Sequence, residues 1–160
     1  MSAPLTASLL TAAGIIPFVA LSKPLQKHFD ANALIKESGI PTILGRPSLN
    51  YRELQVTYGS VILSFVGAPH WGLALSQPNA GNRVNFLRLV WGVTPSLIAW
   101  PCASMPSPRS QNVLAGGLAS AYFVDALFAK AKLLPRGYLI MRFPPTLVGV
   151  VMLQMTKTKP

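Results

Sequence analysis

The chain has 160 residues; 51% are hydrophobic and 11% charged, against about 25% charged in an average soluble domain. Its net charge is +10, from fourteen Lys and Arg set against Asp30, Glu37, Glu53 and Asp125. The basic residues lie in short connectors between apolar runs, which reads as membrane-flanking charge and argues against a nucleic-acid-binding protein.

A helix needs about 20 mainly apolar residues to cross the hydrocarbon core. Five stretches reach or approach that length. The expected fold is therefore all-α: a polytopic membrane helix bundle of about five transmembrane helices, one domain over residues 1–160. The spans fall at about 5–22, 56–77, 89–105, 111–129 and 139–156. The first, closed by Lys23 and Pro24, has no basic segment ahead of its apolar centre. It reads as a retained span, with a signal anchor as the second reading.

Residues 23–53 form a polar connector. Within it, "LQKHFDANALIKESG" carries apolar residues at Leu25, Phe29, Ala33 and Leu34. Two readings stand, a short amphipathic helix at the interface and a solvated loop. Gly39 and Pro41 would end such a helix.

The second span raises a question in "LSFVGAPHWGLAL", where a proline, a histidine and two glycines interrupt an apolar run. Every fourth residue is small: Ser60, Ser64, Ala68, Gly72, Ser76. Such a ridge lets another helix approach closely, which matters in lipid because no hydrophobic drive brings helices together. Pro69 cannot donate to the Phe65 carbonyl, so a kink is expected there. His70 then lies near the middle of the span, as interhelical hydrogen-bonding glue or as a functional group. The other histidine, His28, is in the connector, so no paired-histidine haem or metal site is expected.

The third span carries Pro95, with Thr94 and Ser96 able to re-satisfy the backbone. Trp91, Trp100 and Tyr138 suit interfacial aromatic belts. The fourth has small pairs at four-residue spacing, Ala115 with Ala119, Gly116 with Ser120 and Gly117 with Ala121. Asp125, near its end and close to the interface, either reaches water or pairs with Lys130, Lys132 or Arg88; an ion pair that fixes helix positions is the expectation. In the fifth, Pro144 and Pro145 suit a first helical turn, so the helix proper is expected to begin there. It lengthens back to Tyr138 if Arg142 snorkels to the headgroups. His70, Asp125 and Arg142 are the candidate polar membrane site. With five spans, eight Lys and Arg fall on one side and six on the other, which fixes no orientation.

Three stretches together resemble the transmembrane protein 69 family: "IIPFVAL" at 15–21, "YGSVILSFVGAPHWGLAL" at 58–75 and "VTPSLIAW" at 93–100. "LLPRGYLIMRFPPTL" at 133–147 is also similar. The chain departs from the family at Gly137, where an aromatic is usual, and at Pro145, where a leucine is. The resemblance implies a multi-span protein and, in a eukaryote, the mitochondrial inner membrane. It supplies no catalytic residues.

No paired-carboxylate site, P-loop, metal cluster or nucleophile elbow is apparent, so neither an enzyme nor a cofactor is expected. The expected role is a structural accessory subunit of a mitochondrial respiratory complex, the NADH dehydrogenase complex first among them. Its partners would be other membrane subunits and anionic lipid, cardiolipin included. The alternative is a small-solute or ion transporter acting as an oligomer.

Overall fold

The computed structural model describes residues 3–28, 30–43 and 50–156, and among these every regular element is helical. Phe29, much of the connector's second half and the basic tail with Lys157 and Lys159 lie outside the described residues. Among the described residues three helices are long and apolar enough to cross a membrane, Asn82–Ser104, Ser107–Lys130 and Tyr138–Thr156, rather than the five expected.

Proline divides the other two. The first expected span becomes α1 (Ala3–Ala13) and α2 (Ile16–Ala20), because Pro17 has no N–H to return to the Ala13 carbonyl. The Tyr58 hydroxyl donates to the Gly14 carbonyl left in the break, at 2.8 Å. The connector then forms α3 (Ala31–Glu37), started by Asp30, whose carboxylate accepts from the Asn32 and Ala33 amides at 2.9 and 3.2 Å. Gly39 ends it at φ +72°, but Pro41 lies inside the next short helix, α4 (Ile40–Ile43). The buried face of α3 is Ala31 and Ile35, not the expected Ala33 and Leu34; Leu34 is exposed.

The second span is α5 (Tyr51–Val66) and α6 (Ala68–Ser76), broken at Gly67 just ahead of Pro69 as the lost hydrogen bond requires. Asn50 caps α5 by accepting from the Arg52 and Glu53 amides. Then come α7 (Asn82–Ala99), running into a three-ten turn at Trp100–Ser104, α8 (Ser107–Lys130) and α9 (Tyr138–Thr156). Helix α9 begins at Tyr138, with Pro144 and Pro145 inside it rather than at its first turn. The cause is Gly137, whose φ of +83° makes the turn and whose carbonyl accepts from the Met141 amide at 3.1 Å.

Facing residues fix the helix directions. Gln55 meets Gln111, Gly59 meets Leu114, Leu63 meets Gly117 and His70 meets Asp125, so α5–α6 runs parallel to α8 along most of its length. Ser64 faces Ser96 and Gly67 faces Gly92, so α7 is antiparallel to α5. Leu118 packs on Gly149, with α9 antiparallel to α8. Between them lies an apolar core of Phe18, Leu63, Val66, Leu114, Leu118, Ala121 and Leu153.

Close approach occurs at glycines, though not along the expected ridge. A Cβ on Gly67 would collide with the Gly92 carbonyl oxygen, and one on Gly92 would collide with Trp71 Cδ1. The two Trp-Gly pairs, 71–72 and 91–92, thus meet through Trp71 on Gly92. On the ridge, Ser60 and Ser64 are half-buried, while Ala68, Gly72 and Ser76 face outward, and nothing lies within 4 Å of a Cβ on Gly72. The break at Gly67 rotates α6 relative to α5, so five positions that share one face of a straight helix do not share one here. On α8, Gly117 and Ala121 turn inward and Gly116, Ala119 and Ser120 outward.

Candidate functional site

His70 projects from α6, Asp125 from the last turns of α8 and Arg142 from the second turn of α9. The bundle brings all three together. His70 Nε2 and Asp125 Oδ1 are 2.8 Å apart, and both side chains are fully buried. Arg142 Nε lies 3.3 Å from Asp125 Oδ2, an ion-pair distance, although the two are not aligned as a hydrogen bond. Phe128 packs its edge against the His70 ring, with centroids 4.7 Å apart. Asp125 therefore bridges an imidazole on one helix and a guanidinium on another.

Two expectations about these side chains are corrected. Asp125 pairs with none of Lys130, Lys132 or Arg88, and Arg142 turns inward to the carboxylate instead of snorkelling. The reason is registry. Antiparallel packing of α8 on α9 sets Asp125 beside Arg142, and a buried carboxylate needs the nearest cation. Arg88 is also fully buried but is committed elsewhere. Its guanidinium donates to the Leu133 carbonyl at 2.8 Å, Gln77 Oε1 at 3.1 Å and Asn85 Oδ1 at 3.3 Å, which ties α7 to the end of α6 and to the α8–α9 loop. That loop starts with Lys132 at φ 59°, where the Leu133 amide returns to the Phe128 carbonyl and the Lys132 amide to Ala129. This is a helix-ending Schellman pattern with lysine in the left-handed position glycine usually takes.

Sequence reasoning missed a second polar cluster at the far end of the same helices. Gln55, Gln111 and Thr156 are fully buried. The Gln55 amide donates to the Phe18 carbonyl at 3.3 Å and to Thr156 Oγ1 at 3.2 Å, and Gln111 donates to Gln55 Oε1 at 3.5 Å. Thr156 donates in turn to Met152 at 2.7 Å and accepts from the Lys23 amide. Fourteen residues separate Gln111 from Asp125 on α8, and fourteen separate Arg142 from Thr156 on α9, about 21 Å of helix. Two polar clasps thus bracket one apolar layer.

Beside the ionic clasp, α1, α2, α5, α6, α8 and α9 line a cavity of about 300 Å³, with Arg142 and Tyr138 in its wall. Tyr138 Oη, Arg142 Nη2 and His70 Nδ1 are buried without a hydrogen-bond partner. The proline hydroxyl neighbours on α7 behave differently from one another. Thr94 donates to the Val90 carbonyl of its own helix at 2.9 Å, and Ser96 crosses to the Ser64 carbonyl at 3.3 Å. Of the belt aromatics, Trp100 is exposed, whereas Trp91 packs on the core.

Apolar helices of spanning length, held at both ends by buried polar side chains, define a multi-helix membrane protein. The family described as "Protein of unknown function (DUF3429)" matches residues 3–157, and the chain belongs to it. The chain is also 31% identical over 101 residues to Transmembrane protein 69 of Xenopus tropicalis, a match covering 61% of this chain. It spans about a third of that relative, 32% of its length. The transmembrane protein 69 resemblance is thereby shown. No solved structure matches.

Proposed function

We propose that this chain is a non-catalytic membrane subunit that packs against partner helices and lipid within a larger mitochondrial inner-membrane assembly. The assembly is a respiratory complex, with the NADH dehydrogenase complex the first to test. One observation carries the partner-packing part of this reading. Ala68, Gly72 and Ser76 present a small-residue face outward from α6, with open space at Gly72. In lipid, such faces are where helices associate. Kinked at Gly67, α5–α6 lies beside α8 and completes a fourth crossing.

The ionic clasp supports the non-catalytic part, because His70 and Asp125 are sealed from solvent and each is committed to a neighbour. The mitochondrial location is supported by the family resemblance and by basic connectors that suit an anionic lipid surface. The choice of complex rests on the many small membrane subunits the NADH dehydrogenase complex contains.

The experiment is native gel electrophoresis with mass spectrometry on mitochondria carrying the tagged chain. Co-migration with the complex is expected, and Gly72→Leu is expected to abolish it while the purified variant still folds. A chain that migrates alone or as a small homo-oligomer overturns the subunit reading and favours an oligomeric transporter.

A further inference from the structure

We propose that the cavity beside the ionic clasp is a binding site for a glycerolipid acyl ester, with the ester carbonyl held by Tyr138 and Arg142 and the acyl chain lying in the apolar part. The cavity holds about 300 Å³ and is walled by Phe18, Leu118 and Phe65 as well as by the two polar residues. Leu10 and Phe65, also in its wall, are 70% and 71% exposed, so the cavity opens sideways toward the acyl layer rather than to water.

Three properties select the occupant. First, the buried polar atoms of the wall residues that lack a hydrogen-bond partner, Tyr138 Oη and Arg142 Nε and Nη2, can all donate; Nε already faces Asp125 at 3.3 Å, so Oη and Nη2 are the ones for which the occupant must bring an acceptor. Leaving them unmet in a low-dielectric site is costly, and one bound carbonyl oxygen has lone pairs for both. Second, Asp125 already offsets the Arg142 charge at 3.3 Å. An anionic head would add a negative charge beside that carboxylate, and a cationic head would face the guanidinium, so the acceptor must be uncharged. Third, Tyr138 is the first residue of α9 and Arg142 lies four residues on, about 6 Å along the axis. Nineteen residues of α9 span about 28 Å, close to the hydrocarbon thickness, so both groups sit at its edge, where acyl esters lie. The inference rests on membrane placement and on no partner subunit; a chain found outside any respiratory complex leaves it standing.

The test is native mass spectrometry of the full chain, delipidated in detergent, titrated with monoolein and with its ether analogue 1-O-oleylglycerol. The two share tail and glycerol head and differ in the carbonyl. Saturable monoolein binding at one per chain is expected, with the ether weaker by at least about tenfold, because it lacks the carbonyl that accepts from both donors. Tyr138→Phe should shrink the ester-over-ether ratio severalfold, and Thr146→Phe, which fills the cavity, should abolish both. Equal binding of ester and ether, or no saturable binding, overturns the proposal. So does displacement of monoolein by equimolar oleate, which would make this an anion site. If Tyr138→Phe fails to fold, the ratio measured on the unaltered chain decides.

Discussion

Asp125 is the residue on which the bundle's ionic clasp depends, and its replacement by Asn gives the sharpest test of that clasp. Asn keeps an oxygen for His70 Nε2 but removes the charge facing Arg142. At 3.3 Å and an effective dielectric of about 20, the lost attraction is about 5 kcal/mol. Desolvation of both ions is already incurred in the folded protein, so removing one partner leaves the other uncompensated, at about 3–5 kcal/mol. Arg142 retains 14% exposure and so is not fully desolvated, which places the expected cost near 3 kcal/mol. Arg142→Met should cost a similar amount by stranding the carboxylate. The double variant Asp125→Asn/Arg142→Met should cost no more than either alone, a coupling of about 3 kcal/mol. Interhelical hydrogen bonds in membranes average only about 0.6 kcal/mol, so the ion pair is separable from that background. Unfolding in mixed micelles with rising SDS, followed by tryptophan fluorescence, measures all three. Single variants costing under about 1 kcal/mol, with additive behaviour in the double, would refute the clasp.

The glycines separate contact from composition. Gly92→Ala places a methyl into Trp71 and Gly67→Ala places one into the Gly92 backbone, so each should destabilise by 3 kcal/mol or about that in the same SDS assay. Gly116→Ala meets nothing within 4 Å and should be neutral or gain up to about 1 kcal/mol in helix propensity. Gln55→Leu should cost about 1–2 kcal/mol by unpairing Gln111 and removing the donor to Thr156 Oγ1 and the Phe18 carbonyl, and hydrogen exchange should show the loss first at the ends of α8 and α9 near that clasp. Lys132→Gly should stabilise by about 0.5–1 kcal/mol, because the left-handed φ of 59° costs glycine nothing; a destabilised variant would show that the lysine side chain contributes more than the strain removes.

What could be read from the chain alone was its medium and its unusual side chains; what could not was which residues meet. Asp125, His70 and Arg142 stand out because an ionisable group in an apolar run is expensive wherever it sits. Their mutual contact depends on the stagger between α8 and α9, set by where the Gly137 turn starts α9, and a search for nearby charges settles on Lys130 instead. Gln55, Gln111 and Thr156 escaped for a related reason. They fall at the margins of apolar windows, at positions 55, 111 and 156, where an amide or hydroxyl looks like ordinary interfacial polarity. Burial of the helix ends against one another is what turns those margins into interior. The small-residue ridge is split between two faces. A period of four is meaningful only while the helix is continuous, and Pro69, visible in the same stretch, removes the hydrogen bond that would have kept it so. Below the break the small residues turn outward, while α5 and α7 approach backbone to backbone at Gly67 and Gly92, two residues outside the four-residue ridge. In a lipid-embedded bundle with few charges, helix register is therefore decided by single glycines and single ion pairs, and neither leaves a periodic trace.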